Sequence, residues 1–198
     1  MIIANDKPIL VIGYVESTMT KEFISEINKT HLAKVISTVD FLNLIDKNIY
    51  QYIVSISVDL AERIHIINLV DQLELDLITV VHDTALVDLV TAIGSGTFIF
   101  PFCNIVYGAQ IRRHCIIGSY SLIGHYSMIN DNCIVRPGAM ITDRSVVGKN
   151  CMINIRATIT NKVTITDNVE VSGCSSVTKN ITLSGKYAGT PARRIGDR

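Results

Sequence analysis

The chain has 198 residues, 48% of them hydrophobic and 18% charged, which is enough apolar material for one large domain or two small ones with a packed core. Lys plus Arg and Asp plus Glu both number 18, so the formal charge is zero; this excludes the electrostatic footprint of a nucleic-acid or membrane-surface binder and leaves a small molecule as the expected partner. Five cysteines, an odd number without a CxxC spacing, exclude a disulfide framework and a zinc knuckle.

The opening "MIIANDKPILVIG" carries a short apolar run behind a charged pair. It lacks a small-residue cleavage pattern and is too short to span a bilayer, so a cytoplasmic location is expected. Over residues 1–80 the runs Pro8 to Val15, Ala33 to Thr38, Tyr50 to Val58 and Asp76 to Val81 are rich in β-branched residues and predict short strands. Between them, "TKEFISEIN" and "DLAERIHIINLVDQL" place apolar residues three and four apart, which predicts helices. Strands alternating with helices predict βαβ units, a small parallel sheet and a Rossmann-like α/β domain that binds ligands beyond the carboxyl ends of its strands.

From Val81 the pattern changes. Counting in sixes from Val81 to Val177, every position is Ile or Val, and four residues after each of them, from Ala85 to Ala157, stands only Ala, Ser, Thr or Cys. Neither a helix nor a half-buried strand has a period of six, but a parallel β-helix of hexapeptide repeats does, with three hexapeptides making a triangular coil of 18 residues. Successive coils stack at strand spacing, about 4.8 Å, so side chains 18 apart form columns. Val81, Ile99, Ile117, Val135, Ile153 and Val171 are one such column. Cys115, Cys133 and Cys151 are another, read as buried small hydrophobes and not as metal ligands. Glycines 94, 118, 124 and 148 follow the aliphatic residue, where tight backbone is useful. The β-helix is expected over 81–182, with a separate tail over 183–198.

At this point the sequence resembles a known family. A small βαβ domain followed by a β-helix is similar to the left-handed β-helix acyltransferases, and nearest to the nucleotide-aminosugar N-acetyltransferases of bacterial surface-glycan pathways. The segment "SLIGHYSMINDN" resembles the family stretch that carries its catalytic histidine, which falls on His125, and "YAGTPARRI" resembles its closing motif. The resemblance implies an acetyl group moved from acetyl-CoA to the amine of a nucleotide-linked aminosugar, directly in a ternary complex, with no metal. It also implies a homotrimer with active sites between neighbouring β-helices. Phe98, Ile116, Ile134 and Met152, each preceding an inward aliphatic, are expected to face outward as an apolar strip that marks the partner surface.

His125 occupies the third slot of its hexapeptide, near a corner, where a neutral imidazole takes a proton from an attacking amine. Backbone N–H groups at the corners are expected to hold the oxyanion. The bland reading is a surface histidine at a turn. The family follows this histidine with Asp or Glu, whereas here the next residue is Tyr126, and a second, CoA-contacting histidine corresponds to Ile134. Tyr107, His125, Asp143 and Asn161 share a column, so Asp143 either orients the imidazole or is a solvated corner carboxylate. Ile155, Gly173, Gly189, Pro191, Ala192 and Arg193 match positions where the family meets acetyl-CoA. Arg193 and Arg194 either meet its phosphates or are solubilising charge. In the first domain the family's glycine-rich nucleotide turn reads "IGYVESTM", which keeps Gly13, carries Tyr14 and Val15 where a phosphate needs bare backbone, and has Ser17 near an expected histidine. Asp40 and Arg63 resemble family positions, Asp40 as a partner of the base or ribose.

Three other readings stand beside this one. Acetylation of a simpler hydroxyl acceptor fits less well because the repeat has no inserted acceptor loop. A non-catalytic β-helix scaffold gains from Tyr126 and Ile134. A carbonic anhydrase with three zinc-binding histidines is discounted, because His82, His114 and His125 are 32 and 11 residues apart and neither gap is a multiple of 18.

Overall fold

The computed structural model describes residues 2–3, 7–13, 21, 24–25, 27, 33–41, 46, 49–55 and 60–198. The chain divides into two compact units, Met1–Val80 and Val81–Arg198. Among the described residues no helix is long and apolar enough to cross a membrane.

The first unit contains strands β1 (Ile2–Ile3), β2 (Ile9–Ile12), β3 (Ala33–Ile36) and β4 (Gln51–Val54), with helices α1 (Thr38–Phe41) and α2 (Leu60–Gln72), and β5 (Thr79–Val81) runs across the division. Three strands form a parallel sheet in the order β3-β2-β4, with Ile9 opposite both Ala33 and Gln51. All four residues of β2 are buried, as a central strand covered on both faces requires. Ile12, Ile36, Phe41, Tyr52, Val70 and Leu75 build the core, where the Phe41 ring meets Tyr52 edge-on at 6.0 Å. Of the predicted helix "TKEFISEIN" only Lys21, Ile24, Ser25 and Ile27 are described, and all are helical. The run Asp76 to Val81 departs from the predicted parallel strand. A single parallel bridge, Tyr52 to Leu77, ties it to β4, and β5 pairs antiparallel with β1. The six-residue frame already begins at Val81, so the end of this run takes up the spacing of the next unit.

In the second unit, two-residue strands alternate with four-residue corners. Each strand pairs in parallel with the one 18 residues on, as in Gln110 with Met128, Ile116 with Ile134 and Leu122 with Met140. Three flat faces result. The first runs from Phe98–Ile99 through Val169–Val171, the second is a six-stranded sheet from Leu86–Val87 to Ser176–Val177, and the third a five-stranded sheet from Ala92–Ile93 to Thr164–Ile165. The inward aliphatic column Ile99, Ile117, Val135, Ile153 and Val171 is fully buried. The tail, Gly185–Gly189 and Ala192–Gly196, closes the first face as an antiparallel hairpin and so belongs to the second unit.

Three chemical rules hold the corners, counting the inward aliphatic as the first of six. The fourth residue is left-handed at corner after corner, from Phe102 (φ 59°) to Cys174 (φ 56°). Asn, Arg, Tyr, Lys, His, Phe, Cys and Gly fill this slot from Gly96 to Cys174, and no β-branched residue does, as that conformation demands. The second residue is glycine where the next coil presses closest. A Cβ at Gly148 would stand 2.5 Å from the Thr166 carbonyl carbon, and one at Gly118 would stand 2.7 Å from the Pro137 nitrogen. The fifth residue does more than fit a tight space. Its hydroxyl or thiol donates to a corner carbonyl 15 residues on, Ser127 to Thr142 at 2.9 Å, Ser145 to Thr160 at 2.9 Å and Cys133 to Gly148 at 2.9 Å. Ser, Thr and Cys at this slot give these corner carbonyls a side-chain donor, which at Thr142 and Thr160 adds to the turn N–H bonds donated by Ser145 and Val163.

Three residues of the expected apolar strip are not on the surface, and the fourth, Met152, is half-buried. Phe98 and Ile116 are 1% exposed and Ile134 is 2% exposed, so other parts of the same chain cover them, and Phe98 also packs on Phe100 at 4.6 Å.

Candidate active site

His125 stands on the corner between the second and third faces, after Leu122–Ile123 and before Met128–Ile129, with its side chain 51% exposed. The stacking that aligns the coils brings Asp143 one rung above it. The carboxylate Oδ1 accepts the His125 backbone N–H at 3.0 Å and lies 3.4 Å from the imidazole Nδ1. The first of these bonds is a repeated device of this fold. Asp131 accepts the Arg113 N–H at 3.2 Å and Asp167 the Lys149 N–H at 2.7 Å in the equivalent slots. Only the second contact is particular to this rung. A carboxylate beside Nδ1 favours the tautomer that carries its proton there, which leaves the Nε2 lone pair as the base. Both side chains are about half exposed, so the pair orients the ring and adds little stability. Gly124, next to His125, is part of the arrangement, since a Cβ there would stand 2.6 Å from the same Asp143 Oδ1.

Tyr126, where the family has an acid, turns away from that role. Its left-handed backbone (φ 56°) lays the ring over Gly108, edge-on to Tyr107 at 5.7 Å and beneath the Arg144 guanidinium at 5.6 Å. Ile134, the counterpart of the second histidine, is buried and out of reach of any ligand. The corner N–H groups expected to hold an oxyanion are also committed. Gly124 donates to Ile141 at 2.7 Å, Tyr126 to Tyr107 at 3.2 Å and Arg144 to His125 at 2.8 Å between rungs, and Ser127 to Gly124 at 3.2 Å within the turn, so these N–H groups are consumed.

Ile155 and Gly173 lie together on a different corner, between the first and second faces, Gly173 one rung above Ile155. Ile155 is 52% exposed. In this slot other columns place an aspartate that caps the N–H of the rung below, whereas Gly173 has no side chain. Among the described residues the Ile155 N–H has no acceptor. Gly189 reaches the same region, donating to Ser175 Oγ at 3.0 Å, and Pro191 and Ala192 complete the hairpin turn beside it. The two arginines separate. Arg194 is held by the Ser184 carbonyl at 3.0 Å and by Asp197, whereas Arg193 donates only to the adjacent Ala192 carbonyl at 2.9 Å among the described residues. Within one chain, His125 and these residues therefore flank the second face and do not share a corner.

In the first unit the Gly13 N–H is committed to Ile36 at 3.1 Å, so it is not offered to a phosphate. Tyr14, Val15 and Ser17 lie outside the described residues. Asp40 accepts the Ser37 hydroxyl at 2.6 Å while Ser37 Oγ accepts the Asp40 N–H at 3.0 Å, a reciprocal cap at the start of α1 that leaves the carboxylate exposed. Arg63 is fully buried, and its Nη1 donates to the carbonyls of Val54 at 3.0 Å and Ser55 at 2.5 Å, so it holds the end of β4. Among the described residues no group of three or more His, Cys, Asp or Glu is placed to hold a metal.

Residues 109–143 match the family model described as bacterial transferase hexapeptide (six repeats). A search of curated protein sequences gives no match. Solved structures match along almost the whole chain. A variant of perosamine N-acetyltransferase from Caulobacter crescentus, in complex with CoA and GDP-perosamine, is 17% identical over 96% of this chain and 97% of its own, with a TM-score of 0.87. The acetyltransferase domain of PglB from Neisseria gonorrhoeae, in complex with acetyl coenzyme A, is 18% identical over 96% and 100%, with a TM-score of 0.86. WeeI from Acinetobacter baumannii is 17% identical over 96% and 100%, with a TM-score of 0.66. The chain thus shares the hexapeptide-repeat left-handed β-helix fold of these proteins.

Proposed function

We propose that this chain transfers an acetyl group from acetyl-CoA to the amino group of a nucleotide-linked aminosugar, in the cytoplasm and as part of surface-glycan synthesis, with His125 as general base. The observation that carries the reading is the exposed His125 imidazole with the Asp143 carboxylate 3.4 Å from its Nδ1. Nε2 accepts the amine proton as the nitrogen attacks the thioester carbonyl. The C–N bond forms, the C–S bond breaks, and the imidazolium returns the proton to the departing thiolate. No covalent enzyme intermediate is involved.

The Ile155 N–H, left open above by Gly173, suits a carbonyl oxygen of the donor, and the hairpin turn at Gly189, Pro191 and Ala192 with Arg193 suits its phosphates. These residues lie on another corner than His125. A second copy of the chain, presenting its own Ile155 corner to His125, completes the site, and we take the assembly to be a homotrimer. The neighbouring proteins crystallised with CoA, acetyl coenzyme A and GDP-perosamine support the same two ligand classes. We read the first unit as a Rossmann-like nucleotide holder in which Asp40 meets the base or ribose; Gly13 contributes the shape of the turn and not its N–H.

The test is a panel of UDP-, GDP- and dTDP-linked aminosugars assayed with acetyl-CoA by thiol release, with N-acetyl products identified by mass. At least one good substrate is expected. Acetylation of a plain alcohol with every linked aminosugar inert would replace this reading with O-acetyl transfer. A protein that fails to bind acetyl-CoA at all is a scaffold.

A further inference from the structure

Beside His125 an open groove of about 410 Å³ runs along the corner, lined by Leu86, Asp88, Asn104, Tyr107 and His125 among others. Its direction follows from the coil arithmetic. Tyr107 is one rung below His125, and Asp88 is two rungs below Gly124, about 10 Å along the axis toward the first coil. Ile155 and Gly173 lie two and three rungs the other way, counted from the coil that holds His125. The groove and this chain's own Ile155 corner thus extend from the coil of the imidazole in opposite directions.

The lining decides what fits. Among the described residues it contains no Lys or Arg and one carboxylate, Asp88, whose Oδ1 accepts the Val90 N–H at 3.0 Å and is fixed on the groove wall by that bond. Such a wall repels phosphates and favours hydroxyls or an ammonium group. Tyr107 is 48% exposed, yet its ring is braced edge-on by Tyr126 at 5.7 Å, so it presents a pre-set aromatic surface. A flat aromatic ring flanked by Asn and Asp side chains matches a pyranose, which has an apolar C–H face and a rim of hydroxyls.

We infer that this groove seats the sugar ring of the acceptor, with Tyr107 against its C–H face, Asp88 and Asn104 on its hydroxyls and its amine at His125. This rests on the aminosugar reading above and adds the residue that sets acceptor specificity. The nucleotide lies beyond the groove, since its phosphates are unwelcome beside Asp88.

The chain has no tryptophan, so Tyr107→Trp places a single indole in the groove. Its emission is expected to change when one of the UDP-, GDP- or dTDP-linked aminosugars is added, and to stay constant with acetyl-CoA alone. In parallel, Tyr107→Ala is expected to raise the acceptor KM roughly 10- to 100-fold while the acetyl-CoA KM stays put, with Tyr107→Phe close to wild type. An emission response to acetyl-CoA in place of the sugars, or an acceptor KM unmoved by Tyr107→Ala, overturns the assignment. If emission responds to the sugars while no acetyl group moves, the groove assignment stands and the transferase reading falls.

Discussion

Gly124→Ala couples the fold to the chemistry at one atom. The added methyl would stand 2.6 Å from Asp143 Oδ1, 2.9 Å from its backbone nitrogen and 3.0 Å from the Thr142 carbonyl carbon, and two of the three are backbone that cannot swing aside. Restoring ordinary contact of about 3.4 Å requires the rungs to part by several tenths of an ångström. Overpacking of this kind costs roughly 1–3 kcal/mol. Loss of glycine freedom in the unfolded chain returns about 0.4–1 kcal/mol, because the position is not left-handed. A net loss of about 1–2 kcal/mol lowers the melting point by roughly 2–8 °C for a chain this long. The same shift moves Asp143 away from the imidazole, and misplacement near 1 Å can lower turnover about 100-fold. Gly148→Ala is the control. Its methyl would meet Asp167 Oδ1 and the Thr166 carbonyl carbon, both at 2.5 Å, on the corner between the third and first faces that carries neither His125 nor Ile155, so it should lose at least similar stability but retain kcat. Circular dichroism melts and steady-state acetyl transfer on both variants decide the matter. Gly124→Ala with wild-type melting point and wild-type kcat would refute the reasoning.

Two further outcomes are expected. Asp143→Asn keeps an oxygen for the His125 N–H but loses the charge beside Nδ1, so kcat should fall, though less than on loss of the histidine; an unchanged kcat would make Asp143 a corner cap like Asp131 and Asp167. Of the five thiols only Cys174 is exposed, and burial pushes the Cys103 thiol up to about 11, so a thiol reagent should titrate one cysteine in the native protein and five in denaturant.

The β-helix was legible because its period is carried by the inward aliphatic residues alone, and Ile or Val at Val81, Val87, Ile93 and onward needs no knowledge of neighbours. The rung-to-rung chemistry was less so. Ser127 looks merely small until the coil above places the Thr142 carbonyl over it, and Gly124 looks like a turn residue until Asp143 arrives 2.6 Å from its missing methyl. The strip Phe98, Ile116 and Ile134 misled for a related reason. Alternation tells which side of a sheet a residue takes, but not what else in the chain lies upon that side. The corner N–H groups were assumed open because a hexapeptide seen alone leaves them so, whereas stacking engages Tyr126 and Arg144. The division of the site was in the numbers all along: the aliphatic residues leading the His125 and Ile155 hexapeptides, Ile123 and Ile153, are 30 apart, which is not a multiple of 18, so the two cannot share a corner. Asp88 and Asn104 were missed because nothing in their own hexapeptides distinguishes them. Only the stacking of their coils beside Tyr107 and His125 makes them walls of one groove.

The most direct test of the account is the rate of acetyl transfer by His125→Ala on the best acceptor. The side chain lies outside the core, so the variant should keep the wild-type circular dichroism spectrum, assembly mass and acetyl-CoA affinity, while kcat falls about 10²- to 10⁴-fold, the usual contribution of a general base. A folded His125→Ala protein that acetylates the acceptor at the wild-type rate would contradict the central claim.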